Sequence, residues 1–299
     1  MARRKILHES SFEIRLDYKA ATGKPDRVFL AMAAYVTAFE KLTFTVGKSL
    51  DAELNFSYEL TNIQIGSLKS IITCKSKLKK LAGTLASIPK YIALSMVDLD
   101  SIDNEDSIRD SLAVVERKLL DDNVVKFPNQ INVEPYQYAK DIKELCQAAQ
   151  LLAEGETIDI SSQDNGNVIY LNTKVKFDKE VDELFIDESK DINAIETLII
   201  KKPVFIGDSQ WDFKSVERRL SFSASIEHKE WLERFQKCEL GHIDPGDALI
   251  AFVNYKAIKL KGEKTYSNKQ HRVMHVERVV KGSDLQIRLG EEDVSENNQ

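Results

Sequence analysis

SFEIRLDYKAATGKPDRVFLAMAAYVTAFEKL, residues 11–42, changes its hydrophobic period part-way along. Phe12, Ile14, Leu16 and Tyr18 alternate with polar neighbours, which predicts a half-buried strand. Gly23 breaks the alternation. Pro25 and Asp26 then suit the first turn of a helix, where a missing N–H costs nothing and an acid meets the positive end of the helix dipole. Val28, Phe29, Met32, Tyr35, Val36 and Phe39 recur three and four residues apart, which predicts an amphipathic helix over about 25–46.

Two strands follow. ELNFSYEL (53–60) alternates Leu54, Phe56, Tyr58 and Leu60, and IQIGSLKSIITC (63–74) reads as its partner, with a turn at Thr61-Asn62. Gly66 inside the second suggests a bulge or a close backbone approach. The opening is therefore β-α-β-β. Three apolar stripes at helical spacing come next, over 77–97 (interrupted by Pro89), 105–120 and 135–153, with Gly155 as a C-terminal cap signal.

From about residue 156 the pattern turns to strands. TIDISSQDNGNVIYLNTKVKF (157–177) places Asn165-Gly166 between alternating segments, a strong hairpin signal because both residues tolerate positive φ. DKEVDELFIDESKD (178–191) is charged and marks a boundary or an exposed excursion. Short alternating segments and one small helix, EHKEWLERFQK, fill the rest. The expected fold class is α+β. An N-terminal β-α-β-β module with additional helices (1–155) precedes a mainly-β, barrel-like module (156–290) and a flexible acidic tail (291–299).

With 299 residues, 42% hydrophobic and 30% charged, the chain is globular in composition. A net charge of -6 argues against a protein that coats nucleic acid over its whole surface. Cys74, Cys146 and Cys238 are widely spaced, form no CxxC and suit a reducing compartment. The basic start MARRKILHES leads into no apolar segment of signal-peptide type, and no stretch approaches 18 apolar residues. A cytoplasmic protein without membrane contact is expected.

Gly207-Asp208-Ser209 invites reading as a nucleophile motif, but no Asp-x-x-His follows, so a β-turn is expected. Asp244-Pro245-Gly246-Asp247 reads as a type II turn before a strand. His271 and His275 stand four apart and would share a face. They lack the further ligands a metal needs, though a role in proton transfer stays open. Phosphate loops of GxxxxGK[ST] or GxGxxG type are missing. The reading assigns no catalytic residue, cofactor or metal, and favours a binding or sensing protein over an enzyme.

Charge distribution offers the alternatives. Between Glu59 and Asp98 there is no acid, while Lys69, Lys75, Lys77, Lys79, Lys80 and Lys90 fall inside. A second run comprises Lys256, Lys259, Lys261, Lys264, Lys269, Arg272, Arg278 and Lys281, opposed by Glu263 and Glu277. Such runs neutralise phosphates, and Tyr255 and Tyr266 nearby suit a single-strand binder. They equally suit a solvated sheet edge or an acidic protein partner. An enzyme acting on nucleic acid or a nucleotide is a third alternative. Trp211 beside Arg218 and Arg219 forms a partner hot spot if the indole is exposed, and core if it is buried. A protein partner is expected, with self-association open.

GKPDRVFLAMAAYVTAFEKL, YELTNIQIGSLKS, KKPVFIGDSQWDFK, ASIEHKEWLERFQ and IDPGDALIAFVNY together resemble a widespread group of uncharacterised bacterial proteins. The resemblance implies a bacterial cytosolic origin and a shared two-part architecture. Some such groups sit in anti-phage gene sets, so it also suggests a part in defence or stress responses, and it implies no site residue.

Overall fold

The computed structural model describes residues 8–20, 23–24, 26–51, 54, 56–64, 68–76, 79–124, 131–162 and 167–284. The chain divides into two compact units, Met1–Phe185 and Ile186–Gln299.

The first unit is a five-stranded antiparallel sheet with helices on its apolar face. Its strands are β1 (His8–Asp17), β2 (Phe56–Gln64), β3 (Leu68–Ser76), β4 (Thr157–Ser162) and β5 (Val168–Tyr170), in the spatial order β2-β3-β1-β4-β5. Phe12, Ile14 and Leu16 of central β1 are fully buried, as the alternation requires. The intervening residues carry cross-strand charge pairs: Arg15 Nε donates to Asp159 at 2.7 Å and Lys69 pairs with Glu13 at 3.1 Å. The helix predicted to follow β1 is α1 (Arg27–Leu50), whose buried stripe includes Met32, Tyr35, Phe39, Leu42 and Val46. Each such side chain contributes about 1.5–3 kcal/mol on leaving water.

The helical middle forms α2 (Lys79–Ser95), α3 (Glu105–Asp121) and α4 (Pro135–Ala148). α2 runs through Pro89 without interruption. The lost backbone hydrogen bond is outweighed by burial of Leu85, Ile88, Tyr91 and Ile92 around the proline. Local signals start the next two helices: Asn104 accepts from the Ser107 N–H at 2.8 Å before α3, and Glu134 accepts from the Tyr136 and Gln137 N–H groups before α4. Pro135 occupies the first turn of α4. A short helix, α5 (Val181–Leu184), closes the unit.

Two expectations are corrected. β2 does not turn at Thr61-Asn62; it continues to Gln64 with a bulge between Leu60 and Asn62. Gly66 lies outside the described residues, as do Asn165, Gly166 and the tail. The strands flanking Asn165-Gly166 nevertheless pair antiparallel, Ile160 opposite Ile169. Finally, this hairpin belongs to the first unit, because β4 pairs with β1 from Phe12–Ser162 to Asp17–Thr157. The division falls not at 155 but between Phe185 and Ile186, inside the charged segment. An edge of β1 needs a partner strand, and no local pattern says which one supplies it.

The second unit holds β6 (Ile186–Lys202), β7 (Trp211–Ser215), β8 (Ser221–Ile226), α6 (Lys229–Gln236), β9 (Ala248–Leu260) and β10 (Ser267–Val280). The pairings run β10-β8-β7-β6-β9 and close into a ring, since β9 also pairs with β10. All are antiparallel except β8 with β10. Leu198, Ile200, Trp211, Phe213, Ala224, Leu249, Ala251, Val253 and Val273 fill the interior, and α6 adds Trp231 and Phe235. The Asp244–Asp247 segment is the predicted turn: the Asp247 N–H donates to Asp244 O at 3.1 Å and Gly246 has φ 99°.

Among the described residues one helix, α1, has the length and mean hydropathy, 1.3, of a membrane span. Its apolar stripe is packed in the core.

Candidate nucleic-acid interface

In β7, inward Trp211, Phe213 and Ser215 alternate with Asp212 and Lys214. In β8, buried Ala224 and Ile226 leave Ser221, Ser223 and Ser225 on the outer side. Register aligns these residues across strands: Lys202 stands opposite Asp212, Asp212 opposite Ser223, Lys214 opposite Ser221, and Ser225 opposite Arg272 of β10. Ser223 Oγ donates to Asp212 at 2.6 Å and Ser225 Oγ donates to Glu227 at 2.6 Å, so two acids are tied to the serines of this face. Lys202, Lys214 and Arg272 are exposed and form no ion pair among the described residues. The result is a serine-rich outer face with three cations.

Two connections border the barrel-like unit. The segment joining β6 to β7, residues 203–210, exposes Phe205 (60%) and Ile206 (88%). It is held in place from α6: the Phe205 ring lies 5.3 Å from that of Phe235, and Gln236 Nε2 donates to Gly207 O at 2.6 Å. Gly207-Asp208-Ser209 is the exposed tip of this connection, with Gly207 at φ 81°. The β9–β10 connection, residues 261–266, presents exposed Lys261, Lys264 and Tyr266. Tyr266 donates its hydroxyl to Glu188 and lies under the ammonium of Lys190, 4.9 Å from the ring centre. The Tyr266 bond, reinforced by Lys259, holds the Glu188 carboxyl down at about 2.

The residues singled out in the sequence meet different fates. In the first basic run Lys75 is neutralised by Glu59 at 2.7 Å and Glu9 at 3.3 Å, and Lys69 by Glu13. The acids that the run lacks locally arrive from neighbouring strands. Lys77 and the side chains of Lys79 and Lys80 lie outside the described residues. In the second run Lys259 is paired with Asp187 and Glu188, and Lys281 with Asp247. Lys256 and Lys269 stand opposite one another across β9 and β10.

Trp211 is 1% exposed, stacked on Phe213 and packed at a tilt against Trp231 and Phe235, so it is core and offers no surface to a partner. Arg218 also turns inward. Its guanidinium sits between the rings of Phe222 and Tyr255, 4.9 and 4.1 Å from their centres, and pairs with buried Glu196 at 2.8 Å. Arg219, at φ 54°, stays exposed in the β7–β8 turn. Tyr255 is therefore interior rather than a stacking platform.

His271 and His275 do not share a face. A bulge between Val273 and His275 shifts the alternation by one residue. His271 is buried against Phe222 and Tyr255, while His275 is exposed and stacks on His228 with ring centres 4.3 Å apart. Burial and the neighbouring Arg218 push the His271 imidazole down to about 4. It is neutral near pH 7.

Lys202, Phe205, Ile206, Lys214 and the three serines of β8 were not singled out by sequence reasoning. Val204, Phe205 and Ile206 read as a continuation of the apolar run before Lys201, and only Pro203 marks that the strand has ended. No family model, curated protein or solved structure matches the chain.

Proposed function

We propose that this is a cytosolic, non-enzymatic binding protein whose second unit takes single-stranded nucleic acid on the β7–β8–β10 face. The observation that carries the reading is connectivity. Numbered within the unit, the strands run 1-2-3-5-4 around a closed ring, with the third and fifth parallel and a helix between the third and fourth. OB-type barrels have this connectivity and bind oligonucleotides or oligosaccharides on their second and third strands, flanked by the 1–2 and 4–5 connections. The inference from connectivity to ligand is one of analogy. Charge favours nucleic acid: Lys202, Lys214 and Arg272 suit phosphates, the serines suit phosphate or sugar oxygens, and Phe205 and Tyr266 suit bases.

Fluorescence anisotropy with labelled DNA and RNA 12-mers tests the proposal. Affinity is expected to fall with salt at a log–log slope near −2, from about −0.7 per neutralised phosphate and three cations. Absence of binding at low salt would overturn it.

A second reading rests on Ile195 and Phe252, which stand opposite each other on β6 and β9 and are 59% and 38% exposed. This apolar pair supports a protein contact, including self-association, on a different face of the ring. Light scattering of the Ile195→Ser, Phe252→Ser double variant tests it; an unchanged oligomeric state would remove the self-association.

A further inference from the structure

The first unit contains a groove of about 790 Å³ lined by α1, α4 and Phe56 of β2. Asp141 forms part of its floor, being only 2% exposed. Thr45 Oγ1 donates to one carboxylate oxygen at 2.6 Å and Gln137 Nε2 to the other at 2.9 Å. Both donors are neutral. A carboxylate has room for about four hydrogen bonds, so one acceptor position on each oxygen is left over. Lys41, the nearby cation, instead donates to both oxygens of Glu144 at 2.7 Å. Among the described residues no cation pairs with Asp141. Burial accordingly raises its pKa above the ordinary carboxylate value.

The wall beside it is aromatic. Phe44 is 41% exposed, packs on Phe56 with ring centres 6.3 Å apart, and carries the ammonium of Lys48 at 4.9 Å from its centre. The face of this ring thus already attracts a cation.

We propose that the groove binds a guanidinium-bearing ligand, with the planar cation on Asp141 and its apolar stem along Phe44 and Phe56. Two open acceptor positions on one carboxylate match the paired N–H donors of a guanidinium better than the single point charge of an ammonium. The same chemistry comes from a free small molecule or from an arginine side chain of a peptide.

Isothermal titration of the full chain with agmatine, with the peptide acetyl-Gly-Arg-Gly-amide and with n-butylammonium tests this. Saturable binding of at least one guanidinium probe is expected, about tenfold tighter than n-butylammonium. Agmatine alone binding identifies a small-molecule site; the peptide alone binding identifies a partner's arginine. Asp141→Asn is expected to weaken binding about ten- to hundredfold, the scale of a charge-assisted bond. Lys48→Ala is expected to strengthen it, because the ligand no longer competes for the Phe44 ring. Phe44→Ala, at an exposed position, is expected to weaken it and serves if Asp141→Asn does not fold. No saturable binding of either guanidinium probe at 10 mM (about the weak limit for a paired contact), or equal affinity in the variants, would overturn the proposal.

Discussion

Arg218 Nη1 lies 3.0 Å from Nε2 of His271, inside the ring of strands. A guanidinium only donates, so Nε2 accepts and the imidazole proton sits on Nδ1. Protonating this ring would place two cations in contact in a buried setting.

Stability is therefore expected to depend on pH through His271. Its folded pKa, about 4, lies below the ordinary 6.5. The stabilisation is fully present above 6.5 and is lost as pH falls from there through 4. The loss amounts to at most about 3 kcal/mol. Urea unfolding of the wild type and His271→Gln at pH 7, 5.5 and 4 checks it. The variant is expected to lose less stability over this interval than the wild type, and parallel profiles would contradict the assignment.

Glu156 gives the first unit a pH dependence of its own. Both Arg27 Nη groups donate to its carboxylate, at 2.6 and 2.7 Å, and the Lys19 and Ala153 N–H groups add two more bonds. The Arg27 bonds are the main reason its pKa falls from 4.5 to about 2. Their stabilisation is present above 4.5 and is lost as pH falls through 2. Glu156→Gln is expected to be less stable than the wild type at pH 7, with the gap closing toward pH 2. Thermal unfolding across that range reads the difference.

Trp211 and Ile206 should separate architecture from surface, although only four residues lie between them. Trp211→Ala removes a side chain that is 1% exposed and is expected to cost about 3–5 kcal/mol. Ile206→Ser alters one that is 88% exposed and is expected to change stability by less than about 0.5 kcal/mol. Denaturant midpoints compare the two. Reduced oligonucleotide affinity of Ile206→Ser at unchanged stability would place the 203–210 connection in the interface.

The two basic runs should also behave differently. Lys214→Ala with Arg272→Ala is expected to weaken single-strand binding about ten- to hundredfold at moderate salt and to flatten its salt slope by about 1.4, two phosphates' worth. Lys69→Ala with Lys75→Ala is expected to leave binding within about twofold, since both lysines face strand acids. Anisotropy titrations of the two double variants decide it. Equal losses would move the interface toward the first unit.

Periodicity was enough for the elements. Phe12, Ile14 and Leu16 announce β1, and the stripe through Met32, Tyr35 and Phe39 announces α1, because each pattern reflects one element's own geometry repeated over several residues. The α+β class and a ring-like second module follow from such patterns in order. The turn at Pro245-Gly246 was legible for the same reason: its dihedral angles are properties of those residues.

What lay beyond reach depends on distant partners. Strand β4 joins β1 across more than a hundred residues, and that pairing moves the boundary from 155 to 185. One bulge sends His271 inward and His275 outward, and its placement is set by the register with β9. Lys75 reads as part of a basic run until Glu59 and Glu9 arrive beside it. Trp211 and Arg218 stay open between hot spot and core along the chain, and both become interior once the ring closes, Arg218 on buried Glu196. A sequence by itself determines the period of each segment, because that is local stereochemistry. Which edges pair, which charges meet and which face is left to solvent are decided by tertiary structure, because burial and electrostatic compensation depend on what is near in space rather than along the chain.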